Sequence, residues 1–391
     1  MRPLFITAAS LVSAMGQGLE ATLGSLFAAR SGLRPCDFED VANGGYIGRV
    51  EGLESRQLDP AWARFDCRNN RLADLTLRID GFDHAVARAC EIYGPERIGV
   101  VLGTSTSGIH AGEQAYRARD PASGALPEDF DFVHTQDLFS LAKFVRQALT
   151  LRGPALVISN ACASSAMSFI EASLLIEAGI CDAVVAGGVD SLCQMTLLGF
   201  ASLDLIAPGP CRPCDAERNG ISIGEAGGFV LLEREGSSLA LLGYGVTSDG
   251  YHMSAPHPEG AGAAAAMHQA LARAGLDAAQ IDYVNLHGTG TRANDAAEDR
   301  AVAQVLGPAI PCSSTKGWSG HALGAAGILE ALVSMLCICN GLLPGCLNLR
   351  ERDPAFRCCV LERNVMAPVR RVVSNSFGFG GSNCSLVFGR V

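Results

Sequence analysis

Cys162, His287 and His321 are the residues of this 391-residue chain whose types and settings best suit covalent chemistry. Cys162 follows an apolar run, Ala155 to Ile158, that reads as a buried strand. A helical pattern then runs from Ala163 to Gly179, where glycine suits the position just past a helix end. A thiol at that junction meets unpaired backbone N–H groups and the positive end of the helix dipole. The expectation is that it loses its proton more readily than a free cysteine. Most of the fifteen cysteines should be structural. Cys162 is set apart by His287, in His-Gly-Thr-Gly-Thr, and by His321, in Lys316-Gly-Trp-Ser-Gly-His-Ala-Leu-Gly-Ala-Ala-Gly. A thiol with imidazoles suggests acyl transfer. A cysteine hydrolase would use one histidine as general base. In a decarboxylating Claisen condensation the helix end would supply the thiolate, and both imidazoles would donate to one carbonyl oxygen and stabilise an enolate. Only the condensation uses both histidines.

The elements that must bring these residues together come from an internal repeat. Val101-Leu-Gly-Thr-Ser-Thr106 matches Leu286-His-Gly-Thr-Gly-Thr291, each at the end of an apolar strand. Phe169-Ile-Glu-Ala-Ser-Leu matches Ile328-Leu-Glu-Ala-Leu-Val, and the same offset lays Cys162 on His321. Phe5 to Ser10 pairs with Leu241 to Val246. Two βαβ-rich halves, 1–236 and 237–391, are expected, with Cys162 and His321 opening equivalent helices. Trp62 to Ala89 reads as surface followed by an amphipathic helix. Residues 110–135 read as a polar insertion or lid loop. Asp182 to Asp190 reads as a strand ending in a glycine turn. Arg371 to Asn383 runs from a strand into a glycine-rich loop with two phenylalanines, and lacks the lysine and spacing of a nucleotide loop.

Composition narrows the class. Hydrophobic residues make 48% and charged ones 18%, with 45 glycines, which suits an α/β enzyme with many tight turns. The net charge of −10 opposes nucleic-acid binding. No run of eighteen apolar residues lacks a polar interruption, so no membrane span is expected, and the N-terminus reads as a first strand. Scattered cysteines argue for a reducing, cytoplasmic setting. Cys211-x-x-Cys214 has no companion pair, so no metal is expected. The 30 basic residues include only two lysines, Lys143 and Lys316. A compact ammonium in a glycine-rich turn beside His321 suggests a function that arginine cannot fill. Glu330 lies in an apolar helix and must be paired or hydrated. Asp295 and Glu298 suit a helix N-terminus equally well.

Asn160-Ala-Cys162-Ala-Ser-Ser, His287-Gly-Thr-Gly-Thr291, Lys316-x-x-x-Gly-His321-x-x-Gly-Ala-Ala-Gly-x-x-Glu330 and Asn375-Ser-Phe-Gly-Phe-Gly-Gly-Ser-Asn383 resemble the signatures of elongating β-ketoacyl-ACP synthases. The resemblance runs nearly end to end, through the Arg212-Pro and Gly224-Glu225 segments. It implies a thiolase fold with αβαβα layering, and a dimer. It also implies Cys162 as the acylated nucleophile, His287 and His321 as donors that promote decarboxylation, and Lys316 and Glu330 in support. Asp295 and Glu298 match the family's acidic pair. Thr289 and Thr291 would line the pantetheine arm. The N–H groups of Cys162 and Phe379 would form the oxyanion hole, with Phe379, beside Phe377, as acyl gate. No cofactor is implied beyond the phosphopantetheine of the acyl carrier protein, an acidic partner that would dock on Arg64, Arg68, Arg71, Lys143 and Arg146.

The sequence departs from the family around the nucleophile (Asn160), at Lys316-Gly-Trp-Ser, and at Thr106, where relatives control chain length; a polar or reshaped acyl pocket follows. Gly103 to Ile109 and His252 to Gly260 are similar to type II ketosynthases of aryl-polyene clusters. Two other readings remain. One is a chain-length subunit in a heterodimer, which would typically lack the nucleophile. The other is a non-decarboxylating thiolase, which would need a second cysteine near the C-terminal glycine loop, where Cys384 lies.

Overall fold

Ten principal strands build the molecule, five from each half of the chain. In the computed structural model, which describes residues 1–39, 41 and 44–391, they are β1 (Leu4–Ser13), β2 (Ile98–Gly103), β3 (Ala155–Ile158), β4 (Ala183–Asp190) and β5 (Ala226–Glu233), then β6 (Leu239–Ser248), β7 (Tyr283–Asn285), β8 (Pro311–Ser313), β9 (Arg371–Gly378) and β10 (Ser382–Arg390). Their spatial order is β3-β2-β4-β5-β1 followed by β6-β10-β9-β7-β8. The second series repeats the first in reverse, strand for strand. In each half the three strands nearest the junction pair antiparallel and the three farthest from it pair parallel. The halves join where β1 meets β6, with Leu4 opposite Leu241.

Side-chain alternation along these strands sets the layers. Val101, Val184 and Val230 face inward, as do Tyr283, Val372 and Leu386 from the other half. All pack on two central helices, α4 (Ser164–Glu177) and α7 (Ala326–Asn340). Their neighbours Val100, Val185 and Phe229 face the other way, onto α1 (Arg68–Leu77), α2 (Phe82–Tyr93) and α3 (Ser140–Ala148). Val284, Val373 and Val387 likewise meet α5 (Ala261–Ala274) and α6 (Arg292–Leu306). The result is the αβαβα stack. The stretch Leu323–Asn340, interrupted by Glu330 and Ser334, is long and apolar enough by average composition alone to cross a membrane. In this fold 83% of it is buried as the central helix of the second half.

Several local expectations need correction. Residues 62–89 form a 3₁₀ turn and two helices rather than one amphipathic helix. The supposed lid at 110–135 begins with a helix, Ile109–Arg117. The glycines before Asp190 lie inside β4, not in a turn. A side chain on Gly188 would strike Ser165, and one on Gly103 of the neighbouring strand would collide with the backbone of Ser164 and Ser165. These glycines let the start of α4 sit down on the sheet.

Arg68, expected to dock a carrier, is buried. Its guanidinium grips Glu225 in two hydrogen bonds of 3.0 and 2.7 Å and also reaches Glu54. Its charge is spent inside because Glu225, fully buried, has no other cation among the described residues that bond to it. Glu225 also accepts from the N–H groups of Val50 and Leu192. Arg68→Ala should therefore cost about 3–5 kcal/mol in denaturant unfolding by stranding a buried carboxylate. Arg64, whose side chain is 61% exposed, should tolerate alanine within about 0.5 kcal/mol. Equal effects of the two substitutions would contradict this assignment.

Candidate active site

The turn before α4 is strained so that Cys162 stands clear of the strand. Ala161 adopts φ +45°, unusual for a residue with a side chain. Gly378 packs against this elbow; a Cβ there would meet the Asn160 carbonyl at 3.2 Å and the Cys162 nitrogen at 3.4 Å. That close approach aims the Phe379 backbone N–H at the Cys162 sulfur.

His321 reaches the same sulfur from the other half, with Nε2 3.0 Å from Sγ. Its backbone is held in a short bridge, donating to the Ser222 carbonyl at 2.7 Å and accepting from Gly224 N–H at 2.9 Å. The buried Arg68–Glu225 pair anchors that bridge at the next residue. The His287 ring lies 5.3 Å from the His321 ring, nearly perpendicular to it. Lys316 sits behind His287, its ammonium 3.3 Å from Nδ1 and bonded to the His287 carbonyl and to Glu330. An ammonium can only donate, so Nδ1 of His287 accepts and its ring proton resides on Nε2. Sγ and one nitrogen of each imidazole lie within 4.8 Å of one another, a spacing seen in cation sites. The Lys316 charge beside them opposes a cation there.

Asp295 and Glu298 do not serve as helix-end charges. Glu298 accepts the N–H groups of His287 and Gly288, both at 2.8 Å, and the Asn375 amide at 3.1 Å. Asp295 accepts those of Gly290 and Cys214. Together they fix the His-Gly-Thr-Gly-Thr turn. Burial pushes Glu298 up to about 7, against the pull of those N–H donors. Glu330 is raised to about 7 for the same reason, with Lys316 pulling it down.

A cavity of about 420 Å³ leads from the surface to Cys162, His287 and His321. Thr289 and Thr291 line it, their hydroxyls 2.9 Å apart. So do Phe377, packed 5.9 Å from His287, and Phe379, which is 37% exposed and packs on Phe200. Thr106 does not line it; its hydroxyl is bonded to Asp190. Trp318 is likewise core, donating to the Gly345 carbonyl. No residue of 110–135 borders the cavity, so that segment is no lid to it. Nor do Arg64, Arg71, Lys143 or Arg146 border it; Arg71 pairs with Asp66 and Lys143 lies over Phe139. Sequence reading missed Phe200 and the Ser222–Gly224 bridge and gave Asn375 no role of its own; all become relevant only through tertiary contact.

The expectation of a readily ionised thiol is overturned. Cys162 is buried, and burial pushes its thiol up to about 11; Lys316 and the Phe379 N–H only partly offset this. Burial and the Lys316 charge hold His287 and His321 well below the ordinary imidazole range. The resting site therefore holds a neutral thiol and two neutral imidazoles at pH 7. Alkylation of Cys162 by iodoacetamide, followed by peptide mass spectrometry, should rise about tenfold per pH unit from 7 to 10. A plateau near pH 7 would contradict the neutral thiol.

Residues 1–237 match the family described as "Beta-ketoacyl synthase, N-terminal domain", and residues 239–350 match its C-terminal domain. The 3-oxoacyl-[acyl-carrier-protein] synthase 2 of Vibrio cholerae serotype O1 is 30% identical over all of this chain and 99% of its own. A ketosynthase solved in complex with its chain length factor, from Xenorhabdus doucetiae, is 36% identical with a TM-score of 0.90, over 100% of this chain and 98% of that one. The ishigamide ketosynthase/chain length factor structure gives 28% and 0.90, over 100% and 99%. With these matches over the whole chain, and with Cys162, His287, His321 and Lys316 gathered in that fold, the chain belongs to the β-ketoacyl synthase family.

Proposed function

We propose that the protein is an acyltransferase that extends an acyl thioester by decarboxylative condensation with malonyl-ACP, giving 3-oxoacyl-ACP and CO2. The observation that carries this reading is the convergence of Cys162, His321 and His287 at the end of one cavity. In the first step Sγ of Cys162 attacks the acyl carbonyl and the bond to the carrier's pantetheine sulfur breaks. The thiol proton ends on the departing sulfur as the tetrahedral adduct collapses. Malonyl-ACP then loses CO2, and the electron pair of the broken bond passes into an enolate. Its oxygen accepts from Nε2–H of His287 and of His321. The enolate carbon attacks the acyl-Cys162 carbonyl, whose oxygen is held by the N–H groups of Cys162 and Phe379. Collapse expels the Cys162 sulfur as a thiolate, which takes up one proton from solvent to restore the thiol. Lys316, paired with Glu330, keeps His287 in its donating tautomer, and Thr289 and Thr291 flank the pantetheine arm. The Phe379 ring, exposed and set against Phe200, acts as the gate, with Phe377 as the fixed wall.

In this reading residues 1–236 supply the nucleophile and 237–391 both donors. The growing chain is of the fatty-acid or polyketide and polyene type, the latter supported by the 103–109 and 252–260 segments. The partners are an acyl carrier protein and a second ketosynthase-like chain, either another copy or a chain length factor. Edge strand β3, with Leu156 39% exposed, offers a pairing edge. Arg64, Arg71, Lys143 and Arg146 remain carrier-docking candidates away from the cavity mouth. Fifteen free thiols suit a reducing cytoplasm. The thiolase alternative is disfavoured because Cys384 lies in the central core, away from the cavity.

Incubation with acyl-ACP should add the acyl mass to Cys162, and labelled malonyl-ACP should then release CO2 with formation of 3-oxoacyl-ACP. Cys162→Ala should abolish both acylation and product. Product formation by Cys162→Ala at the wild-type rate, or condensation without CO2 release, would overturn the assignment.

A further inference from the structure

Asp190, at the end of β4, is a fully buried carboxylate whose every partner is a neutral donor. Its Oδ1 accepts from the Thr104 hydroxyl at 2.7 Å, Ser105 N–H at 2.8 Å, and the N–H and hydroxyl of Thr106, both at 2.9 Å. Its Oδ2 accepts from the Ser105 hydroxyl and from Gly324 N–H at 2.6 Å. The first five donors belong to the loop after β2, in the nucleophile's half. The sixth belongs to the turn three residues past His321, in the other half. Leu323, inside that turn, has φ +50°, a conformation that needs outside support. Gly324 has no room for a side chain; a Cβ would lie 2.7 Å from Oδ2 and 2.8 Å from Ser105 N. The Ser105 hydroxyl also accepts from Gly324 N–H, at 3.3 Å. A desolvated negative charge is expensive to keep, and here, among the described residues, it serves no ion pair and does not line the cavity.

We propose that Asp190 is a positioning residue: it clamps the His321 turn to the nucleophile's half and so sets the distance between the His321 imidazole and the Cys162 sulfur, touching neither. Asparagine keeps the shape but turns one oxygen into a donor. With four donors fixed on Oδ1, the amide NH2 must face Gly324 N–H. Two donors repel, the turn moves off, and the 3.0 Å contact opens.

The kinetic arm of the test rests on the condensing activity proposed above. Asp190→Asn should lower kcat about ten- to a hundredfold, the scale of a sub-ångström to 1 Å misplacement of a reacting group. KM for malonyl-ACP should change less than about twofold, because the pantetheine contacts lie on other elements. In a His321→Ala background the same substitution should cost almost nothing further, since it acts through a ring no longer present. Costs that add in the double variant, or a rise in KM with kcat intact, would overturn the proposal. Ser105→Ala, which removes one bridging hydroxyl, is the second variant if Asp190→Asn does not fold, and should show the same non-additivity at a smaller loss, about three- to tenfold. Independently of turnover, the ¹⁵N imidazole signals of His321, assigned by their loss in His321→Ala, should shift in either variant; unchanged signals would contradict the clamp. If the wild-type chain releases no CO2 from malonyl-ACP, the condensing reading has failed, and the imidazole signals alone decide the role of Asp190.

Discussion

The close approach of the two central helices is the constraint on which the site depends. Gly327 at the start of α7 lies against Ala166 of α4; a Cβ on it would stand 2.5 Å from the Ala166 nitrogen. The Ser165 hydroxyl accepts from Ile328 N–H across the same seam, at 2.9 Å. With only small residues between them, the two N-terminal ends meet at the molecule's pseudo-twofold axis. A nucleophile before one helix and an imidazole before the other then fall within hydrogen-bond distance. A larger residue at the seam would separate groups that belong to different halves of the chain.

Burial of these side chains follows from that packing and governs the electrostatics. The same burial that raises the Cys162 thiol also keeps both imidazoles neutral, and the Lys316 ammonium acts against the first and with the second. The neutral His287 imidazole, its ring proton held on Nε2 by Lys316, is suited to donating to a developing enolate. A neutral thiol gives up its proton only as the acyl carbonyl is attacked. The Lys316–Glu330 pair is buried and costly in isolation, and its value lies in fixing the His287 tautomer. Asp295, Glu298 and Asp190 do comparable work on backbone, each a carboxylate that immobilises a glycine-rich turn.

Much of this was legible in the sequence because the repeat aligns Cys162 with His321 and both open helices. The layering came from the family resemblance, since β2 and β4 are buried along their whole length, and Glu330 in an apolar helix announced a buried partner. What escaped depended on distant contacts. Arg68 reads as a surface cation in its own helix, and only the fold brings Glu225 beneath it. Helix-end reasoning at Cys162 took account of the dipole and not of the burial that overrides it. Thr106 and Trp318 look like departures that reshape a pocket, whereas their side chains turn to Asp190 and to the core. Asp190 itself ends a glycine-rich strand, and nothing local marks it as the meeting point of two loops.

The account turns on the two imidazoles having a task separate from acylation. The most direct measurement compares the half-reactions in His287→Ala. Transfer of an acyl group onto Cys162 should proceed at close to the wild-type rate, while CO2 release from malonyl-ACP should fall by about a hundredfold or more. Equal loss of both half-reactions, or retention of full decarboxylation, would contradict it.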